Sequence, residues 1–361
     1  MNNQDSSEAS SNNYTAFDDL AHAYEELGCE AIFKQKPEDF IVDEVLPFEL
    51  TGSGEHVWLH IRKQGENTEW IAKELARVAN VRKRNIGFAG LKDRHAVTTQ
   101  WFSVHLPGIS DPDWGELETE NVQILQTVRH AKKLRRGALK ENQFTILLRD
   151  VTCGRSQLIH RCEAIIKNGV PNYFGEQRFG HGMANLPSAE KMFATDQRVP
   201  RHQKSIYLSA ARSWIFNNIL SQRIVAGNWN QYLSGDVFML NGKSACFKDD
   251  ESVDIHQRLS DGEIHPTGVL WGGGEQLAEK ITQELELSIV NRFEIFKKGL
   301  ESFKVQRLRR ALRVFPRAMH WHFEDGSCTL KFTLPSGSYA TMVLRELLVI
   351  NEAEHRSSSI V

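Results

Sequence analysis

The chain has 361 residues, of which 40% are hydrophobic and 25% charged, with a formal net charge of −2. That length accommodates two domains with separate cores, and the balance of residue types is that of a globular protein. No apolar run approaches the roughly 18 residues needed to cross a bilayer, so no membrane-spanning helix is expected. Residues 1–20 read as a disordered tail, because 1–15 are polar and low in complexity. Through residue 33 there are seven acids and no Lys or Arg, so the remainder carries 44 bases against 39 acids. With no apolar core there, a secretory signal is not expected.

Beyond Pro37, Phe40 and Val42 begin an alternating strand, and Val57, Leu59 and Ile61 form a second. A helix follows from about Thr68, capped by Asn67 or Thr68, with Ile71, Leu75 and Val78 on one face. It runs into the basic Arg82-Lys83-Arg84. Next comes Gly87 to Trp101, a glycine bend closing into a strand-like run, with Asp93 flanked by Lys92, Arg94 and His95. Val122, Ile124 and Leu125 suggest a strand leading into Arg129–Arg136, where five Lys or Arg fall in eight positions. Phe144, Ile146 and Leu148 alternate along another strand with Asn142 at its mouth. Residues 156–168 form an amphipathic helix stopped by Gly169.

From Gly169 to about Arg313 the pattern is mostly helical and reads as a second domain. Ser209 is expected to cap a helix ended by Gly227. A hairpin is expected over Val237 to Phe247 on the Asn241-Gly242 signal. Helices are expected near 251–260, 275–287 and 301–312, with a break at His265-Pro266-Thr267-Gly268. After Arg317 strand character returns, followed by Pro335–Thr341 and a helix through Leu348. The chain is thus expected to return to its first domain, leaving 169–313 as an insertion.

The residues themselves suggest an anion-directed chemistry. Nearby cations hold a carboxylate ionised, able to attack carbon or take a proton. Asp93 among cations is therefore a candidate nucleophile or base, against the alternative of a solvated turn. The clusters at 82–84, 129–136 and 297–317 match the footprint of a polyanion site or, alternatively, solvated helix faces. Phe144, Tyr173 and Tyr339 stand beside glycines or bends, where aromatics stack on unpaired bases or fill a core. Asp93 with His95 lacks a third metal ligand. The five cysteines form no C-x-x-C pair, which argues against structural zinc and fits a reduced, cytoplasmic protein.

Four segments carry a family resemblance. Gly87 to Trp101 resembles the signature of the tRNA pseudouridine synthase D (TruD) family. Leu134 to Phe144, Val170 to Gly180 and Leu334 to Leu347 resemble three further motifs of it, in the same order. The resemblance implies an α+β fold: a pseudouridine synthase domain on a mixed, largely antiparallel sheet, over 21–168 and 314–361, interrupted by a mainly helical TRUD domain over 169–313. It implies isomerisation of a tRNA uridine, at position 13 of the D arm, with Asp93 as the catalytic aspartate and no cofactor or metal. Lys34 matches a basic residue of the active site. Asn142 and Phe144 match the pair near the target base, and Tyr339 stands where some members have Phe. Lys132, Lys133, Arg135 and Arg136 are the expected contacts to the RNA backbone. A cytoplasmic monomer acting on tRNA is expected. A non-catalytic RNA-binding protein and a metal-dependent hydrolase at Asp93 and His95 are the competing classes.

Overall fold

The computed structural model describes Tyr14 and residues 16–195, 198–248 and 254–352. Most of the expected tail, residues 1–13 and 15, lies outside these. Within its described part, Phe17–Asp19 form a single 3-10 turn, and Phe17 and Leu20 are buried. By its contacts the chain divides into two compact units. One joins Glu25–Val170 to Val314–Val361, and the other joins Met1–Tyr24 to Pro171–Arg313.

The first unit begins with β1 (Glu30–Phe33), β2 (Phe40–Val45) and β3 (His56–Gln64). Asn67 then starts α1 (Thr68–Val78) by accepting from the Trp70 N–H at 2.8 Å, which satisfies one of the donors that a helix start leaves open. Helix α1 lays Ile71, Ala72 and Leu75 against Val57, Leu59 and Ile61 of β3, and all six are fully buried. Each Val, Leu or Ile among them, taken from water, contributes roughly 1.5–3 kcal/mol. The chain continues through β4 (Ile86–Phe88), β5 (Val97–His105), β6 (Val122–His130), β7 (Glu141–Leu148) and α2 (Arg155–Asn168), which Gly169 ends at φ +77°.

The other unit holds α3 (Asn185–Ala194), α4 (Arg201–Val225), β8 (Val237–Leu240), β9 (Cys246–Lys248), α5 (Ile255–Ser260), β10 (Ile264–Leu270), α6 (Lys280–Arg292), α7 (Glu294–Ser302) and β11 (Leu308–Ala311). Helix predominates, but β9-β8-β10-β11 form a four-stranded antiparallel sheet. Four expectations are corrected here. The stretch His265–Gly268 is no break: it lies inside β10, every residue of which is buried. The helix expected over 301–312 ends at Ser302, and Leu308–Ala311 is a strand. Its Arg309 makes a buried pair with Glu286 at 2.7 Å, which a local helix pattern cannot announce. Helix α4 also starts at Arg201, eight residues before the expected cap at Ser209. The expected turn of two residues at Asn241-Gly242 is a longer connection, since Met239 pairs with Cys246. Residues 251–253 of the expected helix near 251–260 lie outside the described ones.

The first unit resumes with β12 (Arg317–Glu324), β13 (Ser327–Pro335), α8 (Ala340–Arg345) and β14 (Val349–Glu352). Its main sheet has the order β12-β13-β7-β2-β5-β3-β6, with β4 added on β5. Only β2 and β5 run parallel within it, so the sheet is mixed and largely antiparallel. Strands β1 and β14 pair in parallel as a separate ribbon. The C-terminal strands thus complete the sheet begun by the N-terminal ones.

Candidate active site

Asp93 lies in the loop between β4 and β5. The loop is tied down on both sides: Gln100 Nε2 donates to the Gly90 carbonyl at 2.8 Å, and the Lys92 N–H donates to Thr68 Oγ1 at 2.9 Å. Thr68 in turn donates to Gln100 Oε1 in a buried bond, so the first residue of α1 links the loop to strand β5. From inside, Lys63 of β3, 1% exposed, donates to the Glu66 carbonyl at 2.7 Å and to the Asp93 carbonyl at 3.3 Å. Burial pulls the Lys63 ammonium down to about 8, with Asp93 opposing it.

The Asp93 carboxylate faces Lys34, whose Nζ lies 2.5 Å from Oδ2, while Oδ1 accepts from the His95 N–H at 2.9 Å. Burial works against the charged carboxylate, but Lys34 and the bond from His95 outweigh it, holding Asp93 below its ordinary value. The cation that keeps Asp93 ionised is therefore Lys34, 59 residues away, more than its neighbours in sequence. Arg94 donates to the Gly65 carbonyl at 2.7 Å. Lys92 turns inward, to Glu44 at 3.2 Å and to Asn142 Oδ1. Glu44 and Lys63 were not singled out by the sequence. A lone Glu in a strand of alternating pattern and a Lys at a core position were the available signals.

Asn142 and Phe144 share one face of β7, opposite Glu44 and Val42 of β2. Phe144 is 6% exposed, stacked on Phe40 with ring centres 6.1 Å apart and tilted against Phe332 at 5.5 Å. Lys34 Nζ lies 4.6 Å over the Phe40 ring. A strip of aromatic rings thus leads to the Lys34–Asp93 pair. Tyr339 precedes α8, just past the end of β13 whose Leu334 pairs with Asn142. It is half-buried.

The basic segment after β6 is fastened to the Asp93 loop from its other end. The Gly137 N–H donates to the Ala89 carbonyl at 2.8 Å, and the Leu134 N–H donates to Ser103 Oγ at 2.9 Å. A Cβ at Gly87 would fall on the Leu134 carbonyl oxygen and the Ser103 hydroxyl, so only glycine lets the segment approach. Buried Leu134 packs with Trp58, Ala89 and Trp101. Lys132, Arg135 and Arg136 are exposed. Lys133 is half-buried, and it donates to the Arg84 carbonyl. Arg136 lies 3.8 Å over the Phe88 ring. The cluster at 297–317 behaves differently: Arg307, Arg309, Arg310 and Arg313 bond to Gln276, Glu286, Asn172 and the Leu259 carbonyl inside their own unit. Tyr173, another candidate stacking ring, is 1% exposed, and its hydroxyl donates to the Ala21 carbonyl at 3.0 Å.

Among the described residues, no three His, Cys, Asp or Glu side chains gather as metal ligands, and no helix is long and apolar enough to cross a membrane. The arrangement supplies an ionised, part-exposed carboxylate beside an aromatic strip and a basic rim.

Comparison with known proteins agrees over nearly the whole chain. The family model described as tRNA pseudouridine synthase D (TruD) matches residues 20–187 and 183–347. A tRNA pseudouridine synthase D of Methylococcus capsulatus is 49% identical over 335 residues, covering 92% of this chain and 95% of that protein. One of Hydrogenovibrio crunogenus is 44% identical, covering 92% and 96%. A crystal structure from Methanosarcina mazei, described as a TruD protein, superposes with a TM-score of 0.67 at 23% identity, covering 91% of this chain and 95% of that one.

Proposed function

The chain belongs to the tRNA pseudouridine synthase D (TruD) family, and from that premise we propose that it isomerises a uridine of tRNA, at position 13 in the D arm, to pseudouridine. The observation that carries the proposal is the Lys34–Asp93 pair, which keeps one carboxylate charged at a part-exposed site. The reaction breaks the bond between ribose C1′ and uracil N1, turns the base and forms a bond from C1′ to C5. The C5 proton is lost and N1 gains one, so no redox partner or added atom is required. An ionised Asp93 serves either by attacking covalently or by taking the ribose 2′ proton.

The remaining residues take supporting roles in this reading. Lys34 holds the charge on Asp93. Asn142, Phe144 and Tyr339 receive the base once it has left its stack, a step costing a few kcal/mol. Lys132, Lys133, Arg135 and Arg136 meet the phosphates beside it. The unit of residues 25–170 and 314–361 is the catalytic domain, and the stretch 171–313 is the TRUD insertion. The protein acts as a cytoplasmic monomer. Pseudouridine mapping of total tRNA from cells with and without this protein tests the assignment. Loss of pseudouridine at position 13 alone supports it, and an unchanged map overturns it.

A further inference from the structure

The contacts around Asp93 close into a ring. Lys34 bonds Asp93 and lies over Phe40, Phe40 stacks on Phe144, and Asn142 stands two residues from Phe144 on the same face of β7. Asn142 then accepts from Lys92, the residue before Asp93. Geometry alone therefore places Asn142 in the wall of the candidate active site.

An ammonium has donors and no acceptor, so Lys92 can meet the Asn142 amide only through its oxygen. Lys92 is itself held by Glu44, whose Oε1 lies 3.2 Å from Nζ and whose Oε2 accepts from the Trp101 N–H at 3.0 Å. The Glu44 side chain is completely buried, and Glu44 is the register partner of Asn142 across β2 and β7. The amide nitrogen is thereby turned away from Lys92. Asn142 is 9% exposed, and its amide nitrogen is not among the buried polar atoms left without a partner, so its N–H donors reach the surface of the site, where an acceptor on a ligand can meet them.

We propose that the Glu44–Lys92 pair locks the Asn142 amide as a hydrogen-bond donor to O4 of the target pyrimidine, so that Asn142 selects uracil over cytosine. Uracil presents a carbonyl at position 4 where cytosine presents an amine. An amide free to flip would accept from the amine as readily as it donates to the carbonyl. Locking it as a donor removes the second option at position 4. Asn142 then touches the substrate, while Glu44 and Lys92 are positioning residues. The inference rests on the proposed pseudouridine synthase activity.

The test uses tRNA transcripts carrying uridine, 4-thiouridine, 2-thiouridine or cytidine at the target position, with the full-length protein. Sulfur accepts hydrogen bonds poorly, so 4-thiouridine should slow wild-type turnover roughly tenfold, while 2-thiouridine should not. Asn142→Asp keeps an acceptor for Lys92 but replaces the donor; it should lose about 100-fold on uridine and no longer distinguish 4-thiouridine. Lys92→Met releases the amide, and should narrow the difference in affinity between uridine and cytidine tRNA. A purely structural role would not move that ratio. Equal wild-type turnover of uridine and 4-thiouridine overturns the inference, as does an Asn142→Asp variant still sensitive to the sulfur. Absence of pseudouridine from every wild-type reaction would instead overturn the activity on which it rests.

Discussion

Lys34 reaches Asp93 from a left-handed backbone conformation: its φ is +55°, and its Nζ lies 2.5 Å from Asp93 Oδ2. A side chain with a Cβ adopts that region at a cost of about 1 kcal/mol, which glycine escapes. The fold thus holds a strained backbone at the residue that keeps Asp93 charged. Lys34→Gly should leave the melting temperature unchanged or slightly raised while turnover collapses. With Lys34 gone, burial of Asp93 is opposed chiefly by His95, and its pKa rises. Protonation switches the carboxylate off as pH falls through that value, so the acid limb of the rate profile should move toward neutral pH. A limb that stays in place would show that Lys34 does not set the charge.

Lys63 offers a second pH signature, in stability. Its folded pKa is lowered to about 8 from 10.5. Between those values the unfolded chain binds more protons than the folded one, so the Lys63 contribution to stability rises with pH there, by up to about 1.4 kcal/mol per unit. Below about 8 the cost of burying the charge is fully present. Lys63→Met should lack this rise. Denaturant unfolding of both proteins between pH 7.5 and 10 checks it, and parallel curves would contradict it.

Phe144 tests whether the aromatic strip is more than core. Its packing against Phe40 and Phe332 means that Phe144→Ala would cost about 3–5 kcal/mol and confuse the two roles. Phe144→Leu keeps most of the apolar volume and removes only the ring. Stability should fall by about 1 kcal/mol, while turnover should fall at least about tenfold through lost stacking. Undiminished turnover would assign Phe144 to packing alone.

The basic segment makes an ionic-strength prediction. Lys132→Ala with Arg135→Ala removes two exposed cations whose side chains are not needed to hold the loop, since its anchors are Leu134 and the Gly137 N–H. If both meet phosphates, the slope of log affinity for tRNA against log salt should become shallower by roughly 1.4–1.8. An unchanged slope would place the RNA backbone elsewhere.

Local chemistry announced the elements whose reasons are local. Strand β3 with its period of two, helix α1 with its Asn67 cap, and the stop at Gly169 are where the sequence places them. Asp93 stood out because a lone acid among cations is a local pattern, yet the cation it uses comes from residue 34. What the pattern missed is made by long-range pairing. Glu44 and Lys63 look like interruptions of alternating strands until β5 and the Asp93 loop arrive beside them. Leu308–Ala311 reads as helix, since only the pairing with β10 and the buried Arg309–Glu286 bond make it a strand. The arginines of that region suggested a surface for a polyanion, and instead they satisfy acceptors of their own unit.

The central claim is that the charged Asp93 carboxylate performs the isomerisation, and Asp93→Asn tests it most directly. Asparagine keeps the size and can accept from the His95 N–H and from Lys34, so tRNA binding should stay within a few-fold of wild type. Pseudouridine formation on the same tRNA should fall by at least about a thousandfold. Turnover near the wild-type rate in that variant would contradict the account.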